Sequence, residues 1–248
     1  MVLLYKQNEQ QAPADCHFIV SSKTPFPKMK IATWNIERLK KKQNLAGVVQ
    51  QIEKISADIL ILTEFNTLVK LPSYSFVLET QALPTMPYHY EVTERRVAIF
   101  SKFPIIQVFE TYDNETSCCA ELNTPLGSLI VYGTIAGITG NTDKNFNTDL
   151  KNQINDINKG TALGNFCYSG DLNTSFSDNY YFTKKGRERF TACFEANNLK
   201  NTTRDLSENI DHIVISERFA NLTSLNISEW NTDKALSDHK GVCVELPI

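Results

Sequence analysis

The chain has 248 residues, 42% of them hydrophobic and 21% charged, with a formal net charge of −3. That balance supports a large core in one compact domain, contains no apolar run near the roughly 20 residues of a membrane span, and argues against coating nucleic acid by bulk attraction, although a local basic surface can coexist with it. Val2-Leu3-Leu4 is too short for a secretory leader, so a cytoplasmic protein is expected, and the six cysteines, lacking any Cys-x-x-Cys pair or zinc-like His spacing, read as small reduced core residues.

Residues 1–28 contain Gln and Pro and one short apolar patch, Phe18-Ile19-Val20, and read as an N-terminal extension before a domain spanning 29–248. Regular structure opens with the strand Lys30-Ile31-Ala32-Thr33-Trp34, which delivers Asn35, Glu37 and Arg38 at its C-terminal end. Val48, Val49, Ile52 and Ile55 then recur at helical spacing over 45–56, and the apolar run Asp58-Ile59-Leu60-Ile61-Leu62 is a strand buried on both faces that ends near Glu64. Short strands are expected over 75–79, 89–93 and 97–100, followed by a hairpin of 118–122 and 128–134 around Pro125-Leu126-Gly127. Phe146, Leu150, Ile154 and Ile157 share one helix face running toward Gly160. After it come a strand ending at Asp171, a helix over 184–197, and strands over 210–216, 222–227 and 241–246.

Five of these strand boundaries carry unusual polar groups: Asn35 with Glu37, Glu64, Asp171 with Asn173, Asp211, and Asp238 with His239. In a layered α/β fold, loops at one sheet edge converge even when their residues are far apart in sequence. Carboxylates brought together repel unless a cation sits among them, and oxygen ligands without a thiolate or zinc-like His cluster suit Mg²⁺ or Mn²⁺. In Gly170-Asp171-Leu172-Asn173 the glycine permits a sharp turn, after which a carboxylate that can take a proton from water stands two residues from a carboxamide that can fix an oxygen.

Trp34-Asn35-Ile36-Glu37, Leu62-Thr63-Glu64, Ser169-Gly170-Asp171-Leu172-Asn173, Asn209-Ile210-Asp211-His212-Ile213 and Leu236-Ser237-Asp238-His239 resemble, in order, the motifs of the endonuclease/exonuclease/phosphatase superfamily over about residues 30–247. The resemblance implies a four-layer αββα sandwich of two mixed β-sheets flanked by helices, with a metal-dependent phosphoesterase site at one edge. It implies Glu64 as the main carboxylate for Mg²⁺ or Mn²⁺, with Asn35 and Glu37 beside it and Asp238 in the metal shell. It further implies Asp171 as holder of the attacking water, Asn173 as its orienting group, and His239, paired with Asp211, at the phosphate. The chain departs from many relatives where a Thr-His-Leu-like motif is replaced by Thr134-Ile135, which leaves the leaving-group acid open; Tyr132 lies close in sequence.

Several residues have plainer readings. His212 alternates onto the opposite strand face from Asp211 and reads as structural, Trp34 as core, and Arg95-Arg96 and Lys184-Lys185-Gly186-Arg187 as solvated faces. Arg38, next to the first motif, is a candidate for touching substrate phosphate. The leading expectation is an Mg²⁺-dependent phosphodiesterase, a nuclease acting on DNA or RNA. A phosphatase acting on a small phosphorylated metabolite, nucleotide or lipid head group is the alternative enzyme, and a non-catalytic binding module the alternative outside catalysis.

Overall fold

The computed structural model describes residues 28–84, 89–138, 140–141, 144–181 and 183–248. The extension expected over 1–28 therefore lies outside the described residues except for Lys28, which opens the first strand. In chain order the elements are β1 (Lys28–Asn35), α1 (Leu45–Ile55), β2 (Ile59–Asn66), β3 (Phe76–Glu79), β4 (Glu94–Ser101), β5 (Ile105–Phe109), β6 (Ser117–Thr124), β7 (Gly127–Ile135), α2 (Lys144–Leu163), β8 (Phe166–Asp171), α3 (Lys184–Ala196), β9 (Leu199–Asn201), β10 (Asp211–Ser216), β11 (Asn226–Trp230) and β12 (Gly241–Pro247).

Two six-stranded sheets result, ordered β11-β12-β1-β2-β4-β3 and β5-β6-β7-β8-β10-β9. Each has one parallel pair, β1 with β2 and β7 with β8, and antiparallel neighbours elsewhere. The parallel pairs need crossovers, and α1 and α2 supply them. Strand alternation then builds three apolar layers. Met29, Ile31, Ile59, Ile61, Val131, Cys167, Ile213 and Val242 face the space between the sheets. Trp34, Leu60 and Leu62 turn outward under Val48 and Ile52 of α1. Tyr132, Phe166 and Tyr168 turn outward under Phe146, Leu150 and Ile157 of α2 and Phe190 and Phe194 of α3. The expected four-layer αββα sandwich is the fold.

The same alternation positions the polar groups. Asn35 shares parity with Met29 and Ile31, Asp171 with Cys167, and Asp211 with Ile213, so each caps the inter-sheet face at a strand end. Because β10 runs antiparallel to β8, its first residue stands opposite the last of β8, Asp211 facing Asp171 in register. Likewise β12 begins beside the end of β1, with Thr33 opposite Val242. All four ends meet at one rim.

Some expectations shift. Residues 89–93 form no strand; His89 is left-handed at φ 55°, and β4 starts at Glu94. The strand expected over 222–227 begins instead at Asn226, as an edge strand exposed along most of its length. Two unexpected edge strands appear, β5 and the three-residue β9. Arg96 is no solvated residue: its guanidinium lies 4.8 Å from the Tyr90 ring centroid and bonds the Tyr90 hydroxyl. The five described cysteines are buried and free, and no described helix is long and apolar enough to cross a membrane.

Candidate active site

Asp171 is the centre of the rim. Its carboxylate is buried and held from two sides: the Asn35 amide donates to Oδ2 at 3.1 Å and the Asn173 backbone N–H donates to Oδ1 at 2.9 Å. Gly170 makes the turn possible, because its φ of +140° favours glycine and a Cβ there would overlap the Thr134 carbonyl oxygen of the adjacent β7. Burial raises the Asp171 carboxyl above its ordinary value, against the opposing charge of His239 and with the like charge of Asp211 adding to it.

His239 joins the two acids of β8 and β10. Its Nδ1 is 2.6 Å from Asp211 Oδ2, its Nε2 is 4.0 Å from Asp171 Oδ2 and 3.7 Å from Asp238 Oδ1. Burial opposes the imidazolium, but Asp211, Asp171 and Asp238 outweigh it and raise the pKa to about 10. The ring is therefore charged near neutral pH, with Nδ1–H given to Asp211 and Nε2 lying between Asp171 and Asp238.

A scaffold with no counterpart in the sequence reading holds that loop. Trp34 Nε1 and Asn231 Nδ2 both donate to the His239 carbonyl, at 3.1 and 2.7 Å, and Ser237 Oγ donates to Asn35 O at 2.7 Å while accepting the His239 N–H at 3.2 Å. Trp34 sits in the core as expected, yet its indole N–H fixes the catalytic-side loop. Asn231 carries no motif signal; Ser237 stood within the last motif without a role.

The second half of the rim gathers the acidic oxygens. Glu64 occupies a left-handed position in β2 (φ 43°), and Phe65 beyond it joins the outer cluster with Leu60 and Leu62, so the strand's alternation breaks at Glu64. Glu37, Arg38 and Leu39 also have positive φ, at 49°, 53° and 56°. Arg38 reaches the rim, but its guanidinium lies 2.9 Å from Glu64 Oε2 and its Nε 3.6 Å from Glu94. Glu37 accepts the Asp238 N–H at 3.0 Å and lies 3.3 Å from Lys40 Nζ. Asn173 turns its amide nitrogen to the Ala136 carbonyl, 2.9 Å away.

These residues fit a hard divalent cation. Every candidate donor is an oxygen, and Glu64 Oε2 is buried without a hydrogen bond among the described residues, its charge met by Arg38. Burial, offset by His239 and reinforced by the like charges of Glu37 and Glu64, raises the Asp238 carboxyl, a crowding of acids that a cation relieves. Among the described residues no three acidic, His or Cys side chains close into a cage; one or two carboxylates with room for water and phosphate is the Mg²⁺ pattern.

A cavity of about 340 Å³ opens on this rim, lined by Asn173, Asp211, Asp238 and His239 together with Tyr180 and Tyr181. Tyr132 is not part of it: its hydroxyl donates to Asp156 of α2 at 3.1 Å, on the helix side of the sheet. His212 is structural, as expected, packing edge-on to Phe176 at 4.8 Å.

The model of the Endonuclease/Exonuclease/phosphatase family matches residues 32–239. The chain belongs to that family. Both motif-bearing ends of the match, Asn35 and His239, fall on the rim just described. Among solved structures, an endonuclease/exonuclease/phosphatase from Beutenbergia cavernae superposes with a TM-score of 0.67 at 15% identity, covering 89% of this chain and 72% of that one. An AP endonuclease from Archaeoglobus fulgidus gives 0.66 at 14% identity over 89% and 100%, and one from Leishmania major 0.64 at 15% over 89% and 88%. At these identities the likeness is one of fold. No curated protein matches the chain by sequence. Family membership makes it a phosphoesterase-type hydrolase of a group in which nucleases are common.

Proposed function

We propose that the domain over 29–248 is a Mg²⁺- or Mn²⁺-dependent phosphodiesterase, a nuclease acting on DNA or RNA. The observation that carries the reading is the buried Asp171 carboxylate held by Asn35 and Asn173 within reach of an imidazolium that Asp211 fixes. Asp171, its carboxyl raised by burial, would accept a proton from the attacking water as it adds to phosphorus and the bond to the leaving oxygen breaks, that oxygen taking its proton from solvent. His239 Nε2–H donates to a phosphoryl oxygen, placing positive charge where negative charge develops. Asp211 keeps the ring oriented and charged throughout. Asn173 lines the cavity and fixes the turn that presents Asp171. Glu64 would hold the cation, with Asn35, Glu37 and Asp238 around it; when bound it supplies further positive charge to the phosphate. Arg38, paired here with Glu64 and Glu94, would meet a substrate phosphate once a cation takes Glu64.

The nuclease-bearing neighbours support a polynucleotide substrate, while the modest size of the cavity leaves a small phosphomonoester as the second reading. A panel of plasmid, abasic duplex, single strands, RNA and nucleotides with Mg²⁺, Mn²⁺ or EDTA tests both. Diester cleavage that EDTA abolishes is expected; turnover of monoesters alone would favour the phosphatase. Asp171→Asn and His239→Ala should each lower turnover by about 10³-fold or more without lowering the melting temperature appreciably. Unchanged hydrolysis in both variants overturns the assignment.

A further inference from the structure

Beyond His239 the cavity runs over two aromatic rings that the proposed mechanism leaves unused. Tyr180 and Tyr181 are 47% and 36% exposed, and they line the same space as Asp211 and His239. The loop that carries them is stitched in place. The Ser175 N–H donates to the Tyr181 carbonyl at 2.7 Å, and Asp178 accepts the Tyr180 N–H at 3.0 Å, the Glu208 N–H at 2.7 Å and the Ser175 hydroxyl. Arg187 of α3 donates to the Ser175 carbonyl at 2.8 Å and also to that of Asp178. Hydrogen bonds from Ser175 and Glu208 hold the Asp178 carboxyl down at about 2, so the clasp persists across neutral pH.

This part of the loop between β8 and α3 brings two aromatic rings to the cavity. Lys234, from the loop before β12, places its ammonium 4.7 Å from the Tyr180 ring centroid and donates to the Tyr180 hydroxyl at 2.7 Å. Burial and the charge of Asp171 raise the Tyr181 phenol, so the ring stays neutral beside the cavity.

We propose that Tyr180 and Tyr181, with Lys234, form a stacking subsite for an unpaired nucleobase beside the phosphate, so that the strand bound is single-stranded or locally unstacked polynucleotide. The inference deepens, and rests on, the phosphodiesterase reading. A ring pair held in place before binding spends little entropy on recognition, and base–aromatic stacking favours any base, since every base has a π-face. An intact duplex keeps its bases in its own stack and reaches the rings only after extrusion. Lys234 adds one cation for the backbone.

The full chain, titrated in EDTA so that nothing turns over, is the test. Fluorescence anisotropy is read with a labelled oligothymidylate, an abasic strand of equal length and charge, and a matched duplex. The oligothymidylate should bind about tenfold or more tighter than the abasic strand. In Tyr180→Ala/Tyr181→Ala that ratio should collapse toward one, while Tyr180→Phe/Tyr181→Phe keeps it, because stacking uses the ring. Lys234→Gln should weaken all strands alike and reduce the salt slope by about one. Equal binding of based and abasic strands by the native chain, a ratio unchanged in the alanine variant, or duplex bound as tightly as single strand overturns the subsite. The native-chain comparisons stand even if the alanine variant fails to fold. A ratio of one with diester cleavage intact sinks the subsite alone; a high ratio with no diester cleaved in Mg²⁺ or Mn²⁺ sinks the phosphodiesterase reading alone.

Discussion

Arg38 sits on the carboxylate proposed for the cation. With its guanidinium 2.9 Å from Glu64 Oε2, it competes for the same oxygen that a divalent ion would take. Arg38→Ala should therefore tighten Mn²⁺ binding by about three- to tenfold, the worth of a partly exposed ion pair, whereas Glu64→Gln should weaken it at least as much; calorimetric titration with no substrate present reads both. Loss of Mn²⁺ affinity in Arg38→Ala would show that the pair does not oppose the ion. His212 offers a second residue-scale prediction. Its Nε2–H donates to the Thr174 carbonyl at 3.1 Å and its Nδ1 meets Thr203 Oγ1 at 3.0 Å, an arrangement for the neutral ring. Burial lowers its pKa from 6.5 to about 4 despite the opposing charge of Asp211. Between those values the unfolded chain binds the proton and the folded one does not, so stability is fully present above about pH 6.5 and falls as pH drops toward 4, by about 3 kcal/mol for this group. Urea midpoints measured across that window should decline, and less steeply in a folded His212→Gln variant.

At the scale of elements, the turn from β8 into the site depends on one close approach. Gly170→Ala forces a Cβ onto the Thr134 carbonyl at a φ of +140°, and a loss on the order of 2–4 kcal/mol is expected in chemical denaturation. This is also the scale at which the sequence is most readable. Buried runs such as Ile59-Leu60-Ile61-Leu62 and the 3.6-residue spacing of Phe146, Leu150, Ile154 and Ile157 announce β2 and α2 because burial repeats with the period of the backbone. Exposed edges are harder to read: β5 is missed and β11 is read about four residues too early, because both are exposed along much of their length and their side chains carry no alternating signal. Side-chain direction at the rim escapes as well. Asp171, Asp211 and His239 are legible because each stands at a strand boundary in a recurring motif. That Tyr132 points to Asp156, or that Arg38 lies on Glu64, depends on which face each strand buries and on three consecutive positive-φ residues that no composition rule favours. Asn231 is silent for a different reason: an isolated asparagine in a loop gives no sign that the Ser237 and His239 carbonyls, 6 and 8 residues further on, will turn back onto its amide.

At the scale of the whole molecule, the two sheets pack tightly at Gly133 of β7, where a Cβ would lie 2.9 Å from Val97, 3.1 Å from Ile99 and 3.2 Å from Ile61 of the opposite sheet. Gly133→Val should cost about 1–3 kcal/mol by overpacking and, at temperatures well below melting, should lower kcat/KM as well. A fully active, destabilised variant would show that the sheets can part here without reaching the rim. The Asn35–Asp171 and Asp211–His239 bonds explain why the two effects belong together, since the first joins β1 of one sheet to β8 of the other and the second joins β10 to the loop that leads into β12 of the first sheet. Neither half of the sandwich owns the chemistry. The groups proposed as reactive sit as a rivet through the seam, drawn into line only while the two slabs stay clamped, so the proposed hydrolysis should fail in a chain that has begun to open before its strands are lost.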